Sequence, residues 1–215
     1  MTSPKSFVHG QRFLLGVLIV LSAMLLLAGA WSIPFHFESF SILYKFGKLK
    51  VYLRYGKVIG ITVVLLIFYQ IVIASHFKFL EKIFSFKSML VLHRLNGIIM
   101  GSLAAVHPLL IKASENFTPY TFGKKYYPEF LGIGLLFVLL GLSGTAIFKN
   151  FFKIPHKRWL LLHRLNATLV LVLMPAHILF VSDTFKSGVP WVAVMTIFIL
   201  NILLILRIWI RKFFT

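Results

Sequence analysis

The pentapeptide LHRLN stands at residues 92–96 and again, letter for letter, at 162–166. A second histidine follows each copy at the same distance: His107 lies 14 residues after His93, and His177 lies 14 after His163. A neutral imidazole can donate or accept a hydrogen bond, or give a nitrogen lone pair to a metal. Four imidazoles in two equally spaced pairs make metal ligation the chemistry to pursue. The chain contains no cysteine, so thiolate ligation, disulfides and cysteine-bound iron–sulfur clusters are excluded. His9, His36, His76 and His156 fall at termini, connections or the ends of apolar runs and are read as solvated.

The elements that carry the histidine pairs are apolar. Of 215 residues, 59% are hydrophobic, and the mean hydropathy is +0.91. A soluble domain seldom shows so little polar surface, whereas long apolar runs mark membrane helices. The pattern predicts an all-α integral membrane protein of one domain, a bundle of six spans at about 12–31, 57–75, 88–111, 129–148, 159–181 and 190–210. Each is near the ~20 residues needed to cross a hydrocarbon core. Pro34, Gly47, Gly56, Pro119, Gly123, Pro128, Pro155, Gly188 and Pro190 punctuate the connections. Residues 77–87, FKFLEKIFSFK, alternate aromatic and basic residues and are expected to lie along the interface.

The net charge of +18 comes from 23 Lys and Arg against 5 Asp and Glu. These cations cluster at the ends of apolar runs, where they anchor helices and meet anionic lipid. A nucleic-acid partner is therefore not expected. The side with both termini and the second–third and fourth–fifth connections carries 14 Lys and Arg against 9 on the other, which holds four of the five acids. The positive-inside bias puts both termini in the cytoplasm, with the cell (inner) membrane as the expected location. Lys5, Arg12, the following apolar run and AGA at 28–30 also resemble a cleavable secretory signal. The run is long for one, and a retained first helix is the expectation.

In a helix a 14-residue step returns to within about 40° of its starting direction and rises about 21 Å. His93 and His107 thus share one face of the third span, and His163 and His177 one face of the fifth. One crossing separates these spans, so they run parallel. His93 lies level with His163, and His107 with His177, forming two sites stacked across the bilayer. Facing imidazoles with nothing between them would leave polar atoms unsatisfied in lipid. A haem between them satisfies both as axial ligands. Gly97, Gly101, Ala104 and Ala167 are small residues along these faces that could leave room for a macrocycle or ease helix packing. Against haem stand two readings: polar helix residues bonded to neighbours, and a histidine-based zinc or iron transporter. Transport sites usually include carboxylates, yet no Asp or Glu falls centrally in a span. Arg94 and Arg164 are candidates for propionate contacts, with interface anchoring as their plainer role. Asn96 and Asn166 are expected to bond between helices. Asn116 opens the sequon NFT on the outer side.

With these residues in view, the chain from about 55 to 210 resembles the ferric reductase-like transmembrane domain family. That family includes ferric reductases, NADPH oxidases and the haem subunit of a bacterial methionine-sulfoxide reductase system. The resemblance rests on LHRLNGIIMGSLAAVH and LHRLNATLVLVLMPAH. It implies two b-type haems, the inner held by His93 and His163 and the outer by His107 and His177, with electrons passing outward from the cytosol. Family members usually continue into FAD- and NADPH-binding domains, whereas this sequence stops at Thr215, just beyond RIWIRKFF, and shows no Rossmann glycine fingerprint. The expected function is transmembrane electron transfer, as the haem subunit of an oxidoreductase. A flavoprotein carrying FAD or FMN, or a free reduced flavin, is the expected donor. A quinol-linked respiratory cytochrome b is the runner-up. Ferric chelates, dioxygen, quinone and a periplasmic protein all stay open as acceptors.

Overall fold

The computed structural model describes residues 4–37, 46–148, 151 and 153–213, with the side chains of residues 4–9, 11, 12 and 211–213 outside the described set. Lys45 and Lys149, and the side chains of Lys5, His9 and Arg12, therefore lie outside the described residues. Among the described residues seven α-helices form: α1 Pro4–His36, α2 Gly47–Ala74, α3 Lys78–Ile83, α4 Phe86–Ser114, α5 Tyr127–Phe148, α6 His156–Val181 and α7 Gly188–Phe213. All but α3 are long and apolar enough to cross a membrane, and the described residues contain no strand. The chain is a multi-pass, all-α membrane protein. With six candidate spans, the start of α1 and the end of α7 fall on one side, called here the terminal face; the opposite side is the far face.

The helices extend beyond the apolar runs. At 1.5 Å per residue, the 28 residues of α2 span about 42 Å, more than the ~30 Å hydrocarbon core. Lys48, Lys50, Arg54 and Lys57, expected in a connection, stand on the first turns of α2 instead. Lys and Arg are good helix formers, and their long stems reach the interface from a helical backbone. Pro34 and Gly56, expected as breakers, are likewise inside helices and buried. Gly56 lets Ile111 of α4 close in, since a Cβ there would stand 2.7 Å from the Ile111 Cδ1. Gly47 and Gly188 start their helices with φ of +56° and +68°, which suits residues without a Cβ.

Five helices close a ring in the order α2, α4, α5, α6, α7 and back to α2, while α1 lies outside against α2 and α3. One apolar cluster fills the ring, including Val63, Ile67, Met100, Leu139, Leu171 and Phe198. Large apolar side chains such as Phe13, Leu25, Phe137 and Val172 point outward, as lipid requires. In α1, Trp31 Nε1 donates to Thr62 Oγ1 at 2.8 Å.

Of the stretch 77–87 expected along the interface, Lys78–Ile83 form α3 while Phe86 and Lys87 open α4, and the Arg207 guanidinium of α7 sits 4.3 Å over the Phe77 ring. Ser85 caps α4 by accepting from the Ser88 N–H at 3.1 Å. On the far face, Lys57 Nζ donates to Thr184 Oγ1 at 3.1 Å. Lys112 closes the next connection, pairing with Glu115 at 3.3 Å and lying 3.1 Å over the Tyr120 ring. Burial, with Glu115 and Glu129 adding to it, pushes the Tyr120 hydroxyl above its ordinary pKa. Asn116, the sequon residue, is exposed there with φ of +51°.

Candidate functional site

The two histidine-bearing helices, α4 and α6, are not a packed pair. Each lies against its own hairpin neighbour, α4 on α2 and α6 on α5. Of their histidines, His93 and His163 face each other across the ring interior. Near the terminal face the His93 and His163 rings stand 6.3 Å apart between centres, tilted by 55°. Two imidazoles on opposite sides of one metal atom would have ring centres about 6 Å apart, from two bonds of about 2 Å and two ring radii of about 1 Å. Near the far face stand His107 of α4 and His177 of α6.

The far histidines share one mode of support. His107 Nδ1 lies 2.8 Å from the Gly56 carbonyl oxygen of α2, and His177 Nδ1 lies 2.9 Å from the Pro128 carbonyl oxygen of α5. A carbonyl can only accept, so Nδ1 carries the proton and Nε2 keeps its lone pair. This tautomer is the one that metal-bound histidines adopt, with the bonded carbonyl fixing the ring and raising its basicity. In a helix the carbonyl of residue i faces residue i+4, and a side chain there would cover it. Here residue i+4 is a glycine in both cases. A Cβ on Gly60 would stand 2.9 Å from His107 Cε1 and 3.0 Å from its Nδ1. A Cβ on Gly132 would collide with His177 Cε1 and stand 2.9 Å from its Nδ1. Glu129, next to Pro128, is the acid within electrostatic reach of His177.

The histidines near the terminal face are supported by side chains. Gln70 of α2 donates from Nε2 to the His93 carbonyl oxygen at 2.9 Å. Asn96 donates from Nδ2 to the Leu66 carbonyl oxygen at 2.9 Å and to Gln70 Oε1 at 2.6 Å. The interhelical bonding expected of Asn96 is thus present, while Asn166 is half-buried at the matching place on α6. On α6 the Trp159 ring packs 5.2 Å from His163, and the His156 ring stacks 5.7 Å from Trp159. His163 Nδ1 and an Arg164 Nη1 are buried without hydrogen-bond partners, whereas Arg94 is exposed. Burying such atoms unpaired costs about 1–3 kcal/mol each and more for charged groups, so this level suits an acceptor-rich group beside Arg164. Asn201, midway along α7, is also fully buried with both amide atoms unpartnered.

Among the described residues no group of three or more His, Asp or Glu side chains converges. The donor sets are pairs of imidazoles, which suit a metal whose remaining positions are filled by a macrocycle better than a bare cation. Gly97 and Gly101 serve helix packing: Ser143 Oγ donates to the Gly97 carbonyl oxygen at 3.1 Å, and a Cβ on Gly101 would meet that Oγ at 2.9 Å. The glycines beside the imidazoles are Gly60 and Gly132, on helices that carry no histidine of the pairs. Their signal in the sequence is faint: Gly60 and Gly132 are 72 apart, close to the 70 of the LHRLN repeat.

No family model, curated protein or solved structure matches the chain. The family resemblance therefore rests on the quoted motifs.

Proposed function

We propose that the chain is a membrane cytochrome b that carries electrons between the two faces of the bilayer through two haems, as the haem subunit of a ferric reductase-like oxidoreductase. One observation carries this reading. Both far histidines give Nδ1 to a backbone carbonyl of the neighbouring helix, which leaves the lone pair on Nε2, and each lies 14 residues from a histidine at the other level. A structural histidine needs a partner for both nitrogens, whereas an axial ligand needs one nitrogen held and the other free. The 6.3 Å between the His93 and His163 rings agrees with one metal atom between them.

In this reading His93 and His163 hold one haem, and His107 and His177 hold the other. Haem b supplies reversible one-electron chemistry when bound. The chain supplies the rest. Gly56 and Pro128 orient the far imidazoles, Gln70 and Asn96 fix α4 at His93, and Arg164 offers its guanidinium to a propionate. The apolar ring keeps water from the path. The terminal face, richer in Lys and Arg, is the cytoplasmic one, so electrons enter there from a flavin or flavoprotein and leave at the far face.

The test is haem content. Protein purified from cells supplied with haem should give a pyridine haemochrome ratio of about two per chain, with the low-spin signature of two histidine ligands. A ratio near zero, with zinc or non-haem iron bound instead, would overturn the proposal in favour of a transporter.

A further inference from the structure

We infer that Asn201 of α7 binds an internal water beside the terminal histidine level, and that this polar site lowers the midpoint potential of the haem there. The inference rests on the haem reading and adds to it a wall residue that is not a ligand. Asn201 is fully buried, and both its amide atoms lack a partner in the protein. It follows Val194 by seven residues and Phe198 by three, and both belong to the apolar cluster inside the ring. Helical spacing therefore turns the amide inward. Two contacts fix its level against α2, which runs in the same direction as α7. Lys57 meets Thr184, 127 positions later, and Phe77 meets Arg207, 130 positions later. Asn201 thus stands level with residues 71–74 of α2, next to Gln70, which bonds to the His93 carbonyl. The register against α6 agrees. Asn201 lies 13 residues from the far end of α7 and His163 lies 18 from the far end of α6, a difference of about 7.5 Å in depth. Nearer the far level the same stripe of α7 presents Val194 and Pro190, both buried and apolar.

The chemistry of the amide selects the ligand. Oδ1 needs a donor and Nδ2 an acceptor. A cation would serve only the oxygen, and a carboxylate or quinone carbonyl only the nitrogen. Water serves both, and buried polar groups without protein partners are the places where internal water is held. The effect on the haem follows from charge. With two imidazole ligands the ferric centre carries one positive charge more than the ferrous one. An apolar wall disfavours that charge, whereas an amide and a water that can turn its oxygen towards it favour it. The terminal-level haem is thereby held towards the ferric state, and its potential falls. The far level has no such residue on α7. An electron moving from the terminal level to the far level then moves towards the higher potential, which is the favourable direction.

The experiment uses the haem-loaded full chain. Redox-induced infrared difference spectra are taken in ordinary and in oxygen-18 water, and optical titration reads the potential of each haem. The parent should show a water O–H band that responds to reduction and shifts with the heavy isotope. Asn201→Leu, close in volume and without polar atoms, should lose that band. It should also raise the potential of the terminal-level haem and leave the far one unchanged. Asn201→Ser, which keeps a group that donates and accepts, should keep the band and stay nearer the parent potential. Phe198→Leu, on the same stripe, should keep the band. A parent without an isotope-sensitive band overturns the water site. Loss of the band in Phe198→Leu as complete as in Asn201→Leu overturns its assignment to Asn201. A terminal-level potential in Asn201→Leu at or below that of the parent, or an equal rise at both levels, overturns the tuning. If Asn201→Leu does not keep its haem, Asn201→Met takes its place under the same criteria, and the parent band still decides the water site. A chain that takes up no haem is recognised by its absorption spectrum before any titration, and it overturns the tuning together with the function.

Discussion

The two histidine levels use the same residue, spacing and helices, yet they are built differently. At the far level each imidazole is held by a backbone carbonyl of the neighbouring helix, with a glycine clearing the approach. At the terminal level the support comes from side chains: Gln70 and Asn96 on one side, Trp159 on the other. A backbone bracket fixes one ring orientation and is insensitive to most substitutions. A side-chain bracket can be edited residue by residue, and it leaves His163 Nδ1 and Arg164 Nη1 uncommitted. The far level is made for constancy, and the terminal level is made of adjustable parts.

If the four histidines hold two haems as proposed, the largest effect should follow from removing one of them. His107→Ala or His177→Ala should lower the haem ratio from about two to about one and spare the terminal-level spectrum, because the levels are about 21 Å apart along each helix. His93→Ala or His163→Ala should do the reverse. Redox titration with optical detection separates the components. If His93→Ala and His107→Ala removed the same component, the pairing by level would be wrong.

Next in size is the glycine bracket. Gly132→Ala places a methyl against the His177 ring, and overpacking of this kind costs about 1–3 kcal/mol. The ring must turn away, so the far haem should be weakly held or lost while the terminal-level haem remains. Gly60→Ala should act in the same sense on His107 but less, since its Cβ would stand at 2.9 Å, within reach of a small shift. Gly134→Ala is the control: it lies two residues from Gly132 on the same helix and would meet nothing within 4 Å. There alanine should be neutral or gain up to about 1 kcal/mol through helix propensity. Haem retention on heating reads all three. Equal behaviour of Gly132→Ala and Gly134→Ala would remove the bracket from the account.

The spans and the histidine levels were legible because both depend on periodicity within one helix. Apolar length fixes a crossing, and the angle per residue fixes which histidines share a face. Helix ends were less legible. Lys48 to Lys57 reads as a connection wherever charge is equated with the end of a span, but a helix continues past the hydrocarbon where residues such as Lys and Arg sustain it. The brackets were not legible. A contact between the Gly56 carbonyl and His107 joins positions 51 residues apart, and nothing in the residue type of Gly56 announces its carbonyl. Gly97 and Gly101 drew attention by sitting between the histidines, yet they meet Gln70 and Ser143 across helix interfaces.

The smallest effect tests whether the terminal level is held by side chains acting together. Asn96 reaches both the Leu66 carbonyl and Gln70, and Gln70 passes the constraint to the His93 carbonyl. Side-chain bonds between membrane helices average about 0.6 kcal/mol and seldom exceed about 1.7. Asn96→Leu should therefore leave the haem ratio near two. It should lower the temperature at which the terminal-level haem is released and leave the far haem unmoved, because no bond of this Asn96–Gln70 network reaches His107 or His177. Gln70→Leu should act in the same direction and leave the Asn96 amide with its Leu66 partner. Residues that share one network are not additive, so the double variant should cost less than the sum of the two single ones. Strict additivity would mean that Gln70 and Asn96 act separately. A shift of the far haem equal to that of the terminal-level haem would mean that both substitutions loosen the whole ring, and the contrast between the two levels would then be one of chemistry without a difference in mechanical support.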